Sequence, residues 1–193
     1  MKAYWIFGIA MAAGLSAHAQ ECSVIVYAEA DRMMPFGMLW NAELKSAAMF
    51  REIGIELRWR TGAVRANAAD DACGAPIVIL LGDTGSARVP PDALAYAAPF
   101  AQSGVCIHVL LDRVLQDRGS GLATALLAHV LAHEITHVLQ QTNRHSADGV
   151  MKARWDRRDF RNMVWRPLPF AAEDVELIHS GIANRMLRAA AEE

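Results

Sequence analysis

The chain is poor in cysteine, with only Cys22, Cys73 and Cys106 among its 193 residues. None stands in a C-x-x-C pair, the usual spacing of a cysteine zinc site, and three thiols close at most one internal bridge. An excess of charge of one sign is also missing. Nineteen Lys and Arg face 21 Asp and Glu, a net charge of -2 that offers nothing to a polyanion, so no nucleic-acid partner is expected. The basic stretch 152–158 is broken by Asp156 and reads as a solvated face. There is no internal repeat, low-complexity tract or linker. With 53% hydrophobic and 21% charged residues, positions 20–193 read as one globular domain.

Long apolar runs are few. Tyr4 to Leu15 is apolar but shorter than the roughly 20 residues that span a bilayer. Lys2 precedes it and Ala17-His18-Ala19 follows, the layout of an export signal over 1–19 cleaved before Gln20. The protein is therefore expected to be secreted or periplasmic, without a stable membrane anchor. The apolar segment 122–139 carries His129, His133, Glu134 and His137 and is not expected to span. Export permits a disulfide. Cys73 lies in a loop-like stretch and is the expected partner of either Cys22 or Cys106.

Hydrophobic periodicity gives the order of elements. Strands are expected over 23–28, 55–60, 76–81 and 105–111, with a helix over 37–53 between the first two and loops over 61–75 and 82–91. Residues 121–141 hold no proline and are rich in Ala and Leu. They should form a long buried helix, capped by Ser120 and stopped near Asn143. Residues 165–170 look extended, and 171–190 return to helical spacing through Val175, Ile178, Ile182 and Met186. The fold class is α+β, with a mixed twisted sheet in the N-terminal half, a long active-site helix packed beneath it and a closing C-terminal helix.

The long helix contains His133-Glu134-Ile135-Thr136-His137, an H-E-x-x-H motif. Residues four apart share a helical face, so both imidazoles can reach one zinc ion. Glu134 falls on the neighbouring face, where a carboxylate can take a proton from a water that the ion activates. Two imidazoles and a carboxylate inside an apolar helix need such a partner. A catalytic zinc takes three protein ligands and leaves one position open. His145, eight residues on and past the helix end, is the expected third ligand; Glu173 or Glu176 on the last helix is the alternative. Asp148 is expected to serve the turn at Gly149.

The sequence of H-E-x-x-H, a third His followed by Ser146, and Gly149-Val150-Met151 resembles the metzincin clan of zinc peptidases. The His-Ser pair is most similar to the matrixins. That resemblance implies a metallopeptidase fold, zinc as cofactor, and Met151 in a tight turn beneath the metal. The clan's spacing would put glycine at Gln140 and the third histidine at Asn143, so the loop to His145 is two residues longer here. Residues 132–178 also resemble a group of secreted bacterial proteins with H-E-I-G-H, a longer loop to His-Ser, and Gly-(Ile/Val)-Met-(Arg/Lys)-Ala-x-Trp. Lys152, Ala153 and Trp155 continue that match, while Thr136 stands in place of glycine.

The function expected is that of a secreted zinc endopeptidase with Glu134 as general base. It would act as a monomer on peptide or protein substrates, an extended peptide pairing with the sheet edge nearest the cleft. The alternatives are a non-catalytic zinc-binding protein of the same fold and a narrow-specificity metal-dependent amidase. His129 is expected to be a satisfied helix histidine, Trp155 and Trp165 packing residues of which one could line the cleft, and His108 structural; His179 has no assigned role.

Overall fold

A computed structural model of the chain describes residues 22–31, 34–60, 72–84, 89–98, 105–116 and 118–192; the expected export signal and most of the 61–75 loop lie outside them. Among these residues five strands form one sheet: β1 (Ser23–Ala30), β2 (Glu56–Arg60), β3 (Ile77–Gly82), β4 (Ala95–Ala98) and β5 (Val105–Leu110). Their order is β2-β1-β3-β5-β4. The first four in that order run parallel, and β4 lies antiparallel to β5 at the edge. Alternation along β3 buries Ile77, Ile79 and Leu81 on one face. Register sets Val26 beside Ile77 and Ile79 beside Ile107, so the buried residues form continuous rows across the sheet.

Among the described residues the helices are α1 (Met38–Glu52), α2 (Leu111–Leu115), α3 (Ser120–Gln140), α4 (Arg157–Trp165) and α5 (Ala172–Glu192). Helix α1 carries the chain from β1 to its parallel neighbour β2, the crossover that parallel pairing requires. Helix α1 packs on α3, and Phe50 and Met49 of α1 share one core with Leu126, Leu127, Leu131 and Ile135 of α3. Burying a side chain of this size contributes about 1.5–3 kcal/mol, so these six residues anchor the α1–α3 layer.

Helix α3 is buried nearly all round, with sixteen of its 21 residues out of solvent. By length and composition α3 is apolar enough to cross a membrane, but 89% of that window is packed inside the fold. Its apolarity is that of a core helix. Ser120 does not cap it: Gly119 holds the N-cap position without a side-chain bond, and Ser120 is already helical. The helix also stops earlier than Asn143. Gln141 adopts the left-handed conformation at φ 54° and bonds back to the His137 carbonyl. The chain thus makes without glycine the sharp stop for which glycine is usual.

Three elements were not expected. β4 is one, α2 directly after β5 is another, and α4 is the third. Asp156 starts α4 with a capping box, accepting from the N–H groups of Arg158 and Asp159 while the Asp159 side chain accepts from the N–H of Asp156. Lys152 pairs with both carboxylates, so part of the basic stretch is a helix cap. The disulfide joins Cys22 to Cys73, whose Cα atoms lie 5.1 Å apart, and Cys106 remains free. Trp165, expected to pack, is 89% exposed.

Candidate metal centre

His133, Glu134 and His137 project from the last two turns of α3 and are all buried to 8% exposure. Each imidazole is oriented from its Nδ1. His133 Nδ1 lies 2.9 Å from the Val150 carbonyl, and His137 Nδ1 lies 2.9 Å from the Thr142 carbonyl. A carbonyl can only accept, so both rings carry their proton on Nδ1 and present a bare lone pair on Nε2. Those two Nε2 atoms face each other at 3.0 Å. Two lone pairs at that distance repel unless a cation stands between them. At the usual zinc–nitrogen lengths, two tetrahedral imidazole ligands hold their nitrogens about 3.3 Å apart, close to what is seen.

His145 supplies the third imidazole. Its ring centroid lies 5.2 Å from that of His133 and 4.9 Å from that of His137. Ligand atoms of all three residues fall within 4.8 Å of one another, a set that can hold a metal ion. Glu173, Glu176 and Asp148 stand outside that set: Glu173 is paired with Arg144, and all three are exposed.

The electrostatics suit a cation ligand set. Burial, then the neighbouring His137 and His145 rings, push His133 down to about 3, against the opposing pull of the Val150 carbonyl and Asp174. Burial likewise lowers His137 and His145, so the three rings are neutral near pH 7, as metal ligands must be. Burial raises Glu134 to about 7. Thr136, where the bacterial group has glycine, is fully buried and donates its hydroxyl to the Ala132 carbonyl at 2.8 Å.

The turn after His145 is locked to α3. Gly149 sits at φ 79°, and a Cβ there would stand 2.2 Å from the Pro169 carbonyl oxygen, so only glycine fits. Val150 donates its N–H to the same carbonyl while its own oxygen accepts from His133. Met151 is fully buried in this turn, and its carbonyl accepts from the Ser146 N–H at 2.8 Å. The extended residues 166–170 thus brace the turn. They also reach α3, where Leu168 N–H donates to His129 Nε2 at 3.0 Å. His129 Nδ1 is taken by the Ala125 carbonyl, so His129 is a satisfied helix histidine. His108 stacks on Tyr96 at 4.8 Å. His179 bonds the Ile53 carbonyl.

A cleft of about 630 Å³ opens over the three histidines and Glu134. One wall is residues 92–96, running into β4; the other is 152–155 with Phe160; Val130 and Glu134 lie along α3 between them. Trp155 belongs to this cleft. Its ring meets His133 edge-on at 5.6 Å and its Nε1–H donates to the Gly149 carbonyl. Arg154 and Asp92, one from each wall, form an ion pair at 2.6 Å. Sequence reasoning missed the β4 wall, Phe160, and the Arg144–Asp174 pair beside His145. The Asp156–Asp159 spacing ahead of Phe160 is the signal that could have placed α4.

No protein-family model matches the chain, and no curated protein matches it either. Among solved structures, the fold is similar to the crystal structure of archaemetzincin from Methanopyrus kandleri, with a TM-score of 0.54 and 13% sequence identity over 88% of this chain and 99% of that one. At that identity the likeness speaks for the fold alone: an α+β domain of zincin type with a mixed five-stranded sheet.

Proposed function

We propose that this chain is an exported zinc peptidase that hydrolyses peptide bonds in extended substrates, with His133, His137 and His145 as metal ligands and Glu134 as general base. The observation that carries this reading is the pair of facing Nε2 lone pairs at 3.0 Å, with His145 beside them and Glu134 open to the same cleft. A zinc ion held there supplies Lewis acidity, making water nucleophilic near neutral pH and polarising a carbonyl.

The chain's own residues supply the rest. Glu134 takes the proton of the attacking water and hands it to the leaving amine as the C–N bond breaks. Burial holds its carboxyl near 7, and a cation beside it draws that value down, so the carboxylate is ready to accept at neutral pH. Among the described residues β4 pairs only with β5, and its first residues, Ala95 and Tyr96, line the cleft. An extended peptide can add to that edge through main-chain hydrogen bonds. Trp155 shields one side of His133 from water. The chain would work as a monomer outside the cytoplasm, matching the export signal expected over 1–19 and the motifs shared with the secreted bacterial group.

The test is cleavage of a diverse peptide mixture by zinc-loaded protein, read by mass spectrometry, with Glu134→Ala in parallel. The wild type should cut, chelation should stop it, and the variant should keep its zinc while losing about 10²- to 10⁴-fold in rate. If neither protein cuts although both hold one zinc, general proteolysis is wrong. A narrow amide substrate or a metal-binding role then takes its place.

A further inference from the structure

Asp174, on the first turns of α5, has no exposed surface at all. Burying a carboxylate is costly unless it is paired and fully hydrogen-bonded. Its partners are therefore informative. Both oxygens accept from the Ser146 hydroxyl, at 2.8 and 2.7 Å, and Oδ1 accepts from Arg144 Nη1 at 2.9 Å and Gln140 Nε2 at 3.4 Å. Arg144 and Ser146 are the two residues flanking His145. Gln140 is the last residue of the helix that carries the other two imidazoles.

The three rings differ in how they are aimed. His133 and His137 are each fixed by a carbonyl on Nδ1. The His145 ring makes no hydrogen bond among the described residues, and its side chain is exposed. Its direction is set by the backbone that carries it, and that backbone is held from both sides by one carboxylate. We propose that Asp174 is the positioning residue of the third ligand: by gripping Arg144 and Ser146 it fixes the segment that brings His145 onto the metal. This rests on the metal-centre reading above. The Asp174 charge is felt at His133 and His137 as well, where it favours positive charge against the larger, opposite effect of burial.

The experiment measures zinc affinity of the full chain by competition with a chromophoric chelator, together with the absorption spectrum of the cobalt(II)-loaded protein. Asp174→Ala should bind zinc about 10- to 100-fold more weakly, the usual effect of removing a group that orients a ligand. Its cobalt spectrum should shift toward that of His145→Ala. In the His145→Ala background, Asp174→Ala should cause no further loss of affinity. Wild-type affinity in a folded Asp174→Ala, or an equal loss with and without His145, overturns the proposal. Should Asp174→Ala fail to fold, Ser146→Ala decides: it removes one of the two grips, and unchanged affinity and spectrum there overturn the proposal too. If the wild type binds no zinc, the metal-centre reading falls and takes this one with it. Tight wild-type binding that ignores Asp174 removes this one alone.

Discussion

Gly181, midway along α5, should resist replacement by alanine even though alanine is the better helix former. A Cβ at this position would stand 1.7 Å from the Leu139 carbonyl oxygen and 2.8 Å from its carbon. Both are backbone atoms of the α3 turn that carries His137, so no rotamer change relieves the clash. Overpacking of a core costs about 1–3 kcal/mol, and a clash with backbone belongs at the top of that range. Helix propensity returns at most about 1 kcal/mol. Gly181→Ala should therefore destabilise by about 2 kcal/mol, a fall of about 4–8 °C in Tm for a chain of this size. Gly121 is the control. It lies in the first turn of α3 with nothing within 4 Å of its would-be Cβ, and Gly121→Ala should raise stability by up to about 1 kcal/mol. Urea and thermal unfolding followed by circular dichroism measure both. A Gly181→Ala protein as stable as the wild type would refute the close approach of α5 to α3.

Two further outcomes are expected. The Cys22–Cys73 bridge closes a loop of 51 residues, and reducing it should cost about 2–4 kcal/mol; urea midpoints with and without reductant test this, and no difference would mean that the bridge contributes nothing. Burial lowers His129 to about 4, below its unfolded value near 6.5. The stability tied to neutral His129 is thus fully present above pH 6.5 and lost as pH falls toward 4. Between pH 7.5 and 5 the loss is about 2 kcal/mol, and His129→Gln should lack that part of the pH dependence. An identical pH profile in the variant, measured in urea, would contradict the assignment.

The centre was legible in the sequence where local spacing determines geometry. His133, Glu134 and His137 share one helix, and His145 lies close enough in the chain that a turn brings it back. The strands with strong alternation or continuous apolar runs were legible for the same reason. β4 was not, because Ala95-Tyr96-Ala97-Ala98 is short, made largely of small residues, and among the described residues pairs only with β5. Helix α4 was hidden by its charges, since Asp156 and Asp159 look like solvated residues until their bonds to backbone and Lys152 are seen. Asp174 was the least visible. A carboxylate on a helix reads as facing water, and its partners lie 28–34 residues away in sequence. The choice of Cys22 over Cys106 likewise depends on β1 starting beside the segment that enters β3, a long-range pairing.

The Arg154–Asp92 pair joins the two walls of the cleft at its solvent-exposed rim, the side chains 83% and 51% exposed. An ion pair so open to water holds by only about 0–1 kcal/mol, and dissolved salt weakens it further. The rim thus behaves as a clasp graded by ionic strength. In dilute medium this tie across the rim is at its strongest and in briny surroundings it fades, while the hydrogen bonds that aim the buried His133 and His137 rings beneath feel little of the salt.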